Sequence, residues 1–128
     1  MNNKKRTILI GEDDSEVRGY LELAARSMGY DVILAQDGEE VIECLQREAV
    51  DAVLLDIIMP RKDGIEALRE IRGISRSLPV IMVSDASSTM NVVQAMKIGA
   101  TDFLSKPVSH EELRTAIQKA TQLADEPP

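Results

Sequence analysis

Four short stretches of this 128-residue chain carry side chains that could do chemistry together. Glu12 and Asp13 follow the apolar run Thr7-Ile8-Leu9-Ile10-Gly11, and Asp56 closes a second run, Ala52-Val53-Leu54-Leu55. Ser84 closes a third, Pro79-Val80-Ile81-Met82-Val83, and Lys106 comes just after Asp102-Phe103-Leu104. A carboxylate ending a buried apolar strand is costly unless something uses or neutralises it. Carboxylates held together repel one another and lose ionisation unless a cation joins them. The implied cation is hard and divalent. Mg²⁺ suits a shallow acidic rim, because it keeps several waters and binds through one or two carboxylates, whereas Ca²⁺ usually takes more protein oxygens. Lys106 brings a positive charge able to pair with Asp56 or with an incoming anionic oxygen, and Ser84 offers a hydroxyl donor. Taken singly, acids after a strand also cap helices. The inference rests on their joint placement.

That placement depends on the elements that carry them. Thr7–Gly11 reads as a buried strand broken by Glu12-Asp13-Asp14-Ser15, and Val17, Leu21, Ala24, Ala25 and Met28 then recur at helical spacing until Gly29. Val32-Ile33-Leu34-Ala35 is a second strand, and Asp37-Gly38-Glu39-Glu40 opens a helix whose inner face is expected at Val41, Leu45 and Ala49. Ala52 to Asp56 is the third strand, followed through Pro60 by Asp63-Gly64 and a helix marked by Ile65, Leu68 and Ile71. Pro79 to Ser84 is the fourth, its proline tolerable at a strand's first residue, and Met90, Val93 and Met96 follow at helical spacing up to Gly99. Asp102 to Leu104 is the fifth. Ser109 and Glu112 then form a capping box ahead of Leu113, Ile117, Ala120 and Leu123.

Strands this apolar must be covered on both faces, and alternation with helices supplies the cover. The expected fold is α/β: a flavodoxin-like, doubly wound parallel sheet of five βα units in strand order 2-1-3-4-5. In such sheets ligands bind at the carboxyl ends of the strands where strand order reverses, here between the first and third strands. Glu12, Asp13 and Asp56 fall at that point, and Ser84 and Lys106 share the rim.

Length allows one domain, expected over residues 1–124, with 125–128 as a tail or the start of a linker because Pro127-Pro128 cannot continue a helix. No apolar run approaches the roughly 20 residues of a membrane helix, and Met1 to Arg6 lacks the apolar stretch of a secretory signal, so a cytoplasmic location is expected. A net charge of −7 argues against gripping nucleic acid. Cys44 is the only cysteine and His110 the only histidine, which excludes an internal disulfide and any multi-cysteine or multi-histidine metal site. A Ser/His/Asp arrangement would have to use His110.

Nearly the whole chain, from about Thr7 to about Leu123, resembles the response-regulator receiver domains of two-component signalling. The motifs that carry the resemblance are Ile8-Leu9-Ile10-Gly11-Glu12-Asp13-Asp14, Leu54-Leu55-Asp56-Ile57-Ile58-Met59-Pro60 with Asp63-Gly64, Met82-Val83-Ser84, and Gly99-Ala100-Thr101-Asp102-Phe103-Leu104-Ser105-Lys106-Pro107. It implies that Asp56 accepts a phosphoryl group from a phosphohistidine on a histidine kinase or phosphotransfer protein, or from a small phosphodonor. Mg²⁺ would be held by Asp13, Asp56, the Ile58 carbonyl and, through water, Glu12. Lys106 and Ser84 would contact phosphoryl oxygens, and Ser84 and Phe103 would switch position. Phe103 also reads as an ordinary core aromatic. The output face would be the fourth helix, fifth strand and fifth helix, serving an output domain, a protein partner or a homodimer formed on phosphorylation. The stretch Ala95 to Leu104 is similar to receivers attached to AAA+ transcriptional activators.

The chain departs from the family pattern at Glu12, where aspartate is more usual, at Gly11, which should weaken its strand, and at Asp85, where a small residue is common. Asp85 could tighten metal binding, hinder the phosphodonor or face solvent. Ile58 and Ala86 give no residue to position an attacking water, so slow dephosphorylation is expected. Three rivals remain. A haloacid-dehalogenase-type phosphatase would need an acid where Ile58 stands. A flavodoxin-like electron carrier would need a phosphate-cradling loop where Glu12 and Asp13 stand. A phosphorylation-independent docking module would need none of the site residues.

Overall fold

The computed structural model describes residues 5–85 and 89–125, apart from the side chains of residues 89 and 123–125. The elements are β1 (Thr7–Gly11), α1 (Ser15–Ser27), β2 (Asp31–Ala35), α2 (Gly38–Arg47), β3 (Ala52–Leu55), α3 (Gly64–Ile74), β4 (Val80–Asp85), α4 (Thr89–Ile98), β5 (Asp102–Lys106) and α5 (His110–Asp125). All neighbouring strands pair in parallel, in the order β2-β1-β3-β4-β5.

Successive strand residues point to opposite faces, so an unbroken apolar run feeds two cores. Leu9, Val53, Leu55 and Met82 pack with Val41, Leu68, Ile71 and Ala95 from α2, α3 and α4. Ile8, Ile10, Leu54, Ile81 and Val83 pack on the other side with Leu21 and Ala24 from α1 and Leu113 and Ile117 from α5. The helices start where the side-chain acceptors say they should. Asp14 accepts from Glu16 and Val17 amides, Asp37 from the Glu40 amide, and Asp63 forms a reciprocal box with Glu66. The expected Ser109–Glu112 box is present, with bonds of 3.1 and 3.0 Å. Gly29 ends α1 at φ +97°, a conformation that favours glycine.

Several boundaries and faces differ from the sequence reading. Ala49 is exposed and lies beyond α2, which stops at Arg47 because Glu48 turns to extended backbone; Ile42 and Cys44 are buried beside Val41 instead. The sequence reading gave α4 no inner face: Met90, Val93 and Met96, which marked the helix, are 76, 42 and 45% exposed, while buried Ala95 and partly buried Ile98 pack against the core. β3 ends at Leu55, one residue before Asp56, while β5 runs on to Lys106. Pro79 precedes β4, so its missing N–H leaves no ladder position empty. α5 continues through Ala124 to Asp125, one residue past the expected boundary. Expectations about Ala86, the Leu123 side chain and residues 126–128 lie outside the described residues.

Gly11 costs its strand less than its type suggests. A Cβ there would stand 2.6 Å from Val41 Cγ2 and 3.1 Å from Leu55 Cδ1, so neighbouring side chains already fill the space a branched residue would take.

Candidate functional site

β1 and β3 are adjacent, with Gly11 opposite Leu55, so the residues that follow them emerge side by side. The Asp56 amide continues the pairing by donating to the Gly11 carbonyl at 2.9 Å, and the Glu12 amide donates to Ala35 at 3.0 Å. Carboxylate oxygens of Glu12, Asp13 and Asp56 consequently lie within 4.8 Å of one another. Glu12 and Asp56 are buried, whereas Asp13 is exposed at the mouth.

The strands beyond β3 supply the remaining groups. Ser84 Oγ donates to Asp56 Oδ1 at 2.9 Å and Lys106 Nζ donates to Oδ2 at 3.1 Å. β4 and β5 set these positions, since Ser84 lies opposite Ser105 and Asp85 opposite Lys106. Asp85 is exposed. Lys106 Nζ also stands 2.7 Å from Glu12 Oε1, close but off-line, leaving that buried oxygen without a well-directed hydrogen bond. The other Glu12 oxygen accepts from the Asp14 amide at 3.1 Å.

Burial is the main force on Glu12. Together with the nearby Asp56 charge it outweighs the pull of Lys106 and the Asp14 amide, and the carboxyl is pushed up from 4.5 to about 7. Burial alone would lower Lys106, but its hydrogen bond to Asp56 and the nearby charges of Glu12 and Asp56 prevail and hold the ammonium above its ordinary value. Lys106 is therefore charged, and Glu12 bears the cost of ionising in a buried position.

Gly64 explains why Asp63-Gly64 follows the acid at that spacing. A Cβ on Gly64 would sit 1.9 Å from the Asp56 carbonyl oxygen, and the Gly64 amide donates to Ile57 at 2.7 Å. α3 can thus start directly against the Asp56 backbone. Ile58 lies in the same loop with its side chain 68% exposed. Phe103 is half-buried against the α3/α4 core, with Met82 as its register partner.

Sequence reasoning missed the arginines that hold these loops. Arg18 Nη1 donates to the Glu12 and Asp13 carbonyls at 2.9 and 3.2 Å, and Arg61 pairs with Asp37. Arg18 follows the acids by about one helical turn, which is a weak signal; nothing local ties Arg61 to Asp37. A groove of about 590 Å³ lined by Val17, Tyr20, Leu21, Val83 and Val108 meets the acid cluster only through Lys106.

The residues present fit a hard divalent cation. They comprise an all-oxygen cluster, an exposed acid at the mouth and a buried carboxylate oxygen lacking a directed donor.

A five-stranded parallel sheet in this order, with acids and a lysine converging at its switch point, defines a CheY-like, flavodoxin-type domain. The receiver domain protein (CheY-like) from Methanospirillum hungatei is similar, with a TM-score of 0.91 at 25% identity, covering 95% of this chain and 98% of that one. The chain belongs to the response regulator receiver domain family, whose model matches residues 8–118. It is 40% identical over 106 residues to Response regulator MprA of Mycolicibacterium vanbaalenii, covering 83% of this chain and 46% of that protein. It is 34% identical over 120 residues to the Transcriptional regulatory protein ZraR of Escherichia coli, covering 94% of this chain and 27% of that one. The chain thus spans half or less of these curated relatives. Among the described residues no helix is long and apolar enough to cross a membrane.

Proposed function

We propose that this chain is a phosphorylation-driven switch in which Asp56 accepts a phosphoryl group from a phosphohistidine of a histidine kinase or phosphotransfer protein, or from a small phosphodonor. The observation that carries this reading is the buried Asp56 carboxylate, one oxygen bonded to Ser84 and the other to Lys106, with two further acids within 4.8 Å. In the transfer an Asp56 oxygen forms the new O–P bond as the donor's P–N bond breaks. The bonding pair leaves on the imidazole nitrogen, which takes up a proton.

Asp13, Asp56 and the Ile58 carbonyl would hold Mg²⁺, with Glu12 acting through a water. The cation supplies neutralisation of charge on the transferring oxygens. Lys106 serves the same end and already points at the nucleophile. Ser84 holds one Asp56 oxygen before transfer and is placed to donate to a phosphoryl oxygen after it. That movement, with a turn of the half-buried Phe103, would relay the response to the added charge as a change of conformation at the surface of α4, β5 and α5. Exposed Met90, Val93 and Met96 on α4 support that surface as the output face, for an attached domain, a partner or a second copy. A cytoplasmic setting follows from the donor. A phosphatase reading is disfavoured by apolar Ile58 at the position that would carry the second acid.

Intact mass after incubation with acetyl phosphate and Mg²⁺ tests the proposal. The wild-type chain gains one phosphoryl mass and Asp56→Asn gains none. Equal masses in the two exclude it.

A further inference from the structure

The β3–α3 loop carries Asp56 at one end and the α3 cap Asp63 at the other, and a different element fixes its middle. Arg61 Nε and Nη2 reach Asp37 Oδ2 at 3.0 and 2.5 Å. Asp37 is 2% exposed and caps α2, its Oδ1 accepting from the Glu40 amide at 2.9 Å. One residue further on, the Gly38 amide donates to the Lys62 carbonyl at 2.9 Å. A Cβ on Gly38 would lie 2.3 Å from that oxygen, so the two backbones meet at a distance only glycine permits.

Arg61 is held at φ 65°, in the left-handed region that non-glycine residues seldom adopt. Backbone in such a state persists where its surroundings over-determine it, and it gathers at functional sites. The Arg61 side chain is 62% exposed, so core packing does not account for the conformation. The pair stays ionised: burial would raise Asp37, but the Glu40 amide and Arg61 outweigh it and hold the carboxyl below its ordinary range.

We propose that Asp37, Gly38, Arg61 and Lys62 form a clasp by which the start of α2 positions the β3–α3 loop, and with it the Ile58 carbonyl, for cation binding beside Asp56. Arg61 is a positioning residue, acting on the site through the backbone it anchors. This rests on the metal-assisted reading of the acid cluster. Groups that orient a metal's ligands commonly change affinity by about ten-fold or more when removed. A clasp that served only the fold would lower stability and leave the metal affinity of the folded chain unchanged.

Arg61→Gly separates the two roles, because glycine accepts the left-handed conformation without strain while the fork to Asp37 is lost. The full chain is titrated with MgCl₂ by calorimetry, and its thermal midpoint is measured in EDTA. The expected result is a midpoint lowered only modestly, since Asp37 keeps the Glu40 amide after losing its cation, with Mg²⁺ binding to the folded chain about ten-fold weaker, part of it regained in Arg61→Lys. Mg²⁺ affinity equal to wild type overturns the clasp and leaves the reading of the site intact. A lowered midpoint beside that unchanged affinity assigns the contact to the fold alone. Wild-type protein that binds no Mg²⁺ overturns the reading of the site and the clasp with it.

Discussion

Replacing Glu12 by glutamine isolates the electrostatic cost of the acid cluster. Glu12 is 1% exposed, and its carboxyl is pushed from 4.5 to about 7, chiefly by burial. A folded value above the unfolded one means that the group's contribution is fully present below about pH 4.5 and lost as pH rises through about 7. At about 1.4 kcal/mol per pH unit between those values, the wild-type domain loses up to about 3 kcal/mol across that window. Glu12→Gln never ionises and keeps that stability. In urea unfolding with EDTA it should match wild type at about pH 5 and exceed it by up to about 3 kcal/mol at about pH 8. Mg²⁺ should recover the loss in wild type, because a cation favours the ionised carboxylate. Below about pH 7 its binding must expel the Glu12 proton, so affinity should fall by up to about ten-fold per pH unit, a slope absent from Glu12→Gln. Parallel stability curves for the two proteins from pH 5 to pH 8 would refute the reasoning, since they would show that burial of Glu12 imposes no charge-dependent cost.

Gly64→Ala forces a methyl group against the Asp56 carbonyl, 1.9 Å away, so the backbone there must shift. It should cost about 1–3 kcal/mol in urea unfolding and slow acetyl-phosphate labelling of Asp56; unaltered stability and labelling would contradict the packing described. Lys106→Met removes the cation facing Glu12 and Asp56. Calorimetry should then show Mg²⁺ binding tighter by up to about ten-fold, with phosphorylation slower, whereas weaker Mg²⁺ binding would mean that Lys106 organises the cluster instead of competing with the cation. With apolar Ile58 exposed beside the site, the phosphorylated domain should lose its label over minutes or longer in Mg²⁺, followed by intact mass. A lifetime of seconds would show that some other group positions the attacking water.

The apolar runs of β1, β3 and β4 and the polar residues that end them were legible from sequence, because burial on both faces leaves an unbroken hydrophobic signature and caps act on amides within a few residues. Strand order and the switch point followed, and with them the neighbourhood of Glu12, Asp13, Asp56, Ser84 and Lys106. Periodicity located α4 but did not give its orientation. Met90, Val93 and Met96 share a spacing as regular as any core stripe, and only the packing of Ala95 against the sheet settles which side is wet. The same holds for α2, where Ala49 continues the pattern after Glu48 has already turned the chain.

Burial of individual acids was likewise a tertiary matter. Glu12 and Asp13 are sequence neighbours of the same chemical type, yet one is enclosed by Lys106 and the Asp14 amide and the other faces out. Arg61 and Asp37 are separated by 24 positions, and their contact exists because two βα loops emerge at the same edge of the sheet. Sequence determines what each segment can do over the reach of a turn or a strand. Charge pairing and desolvation depend on distances across the fold, which only the packed chain defines.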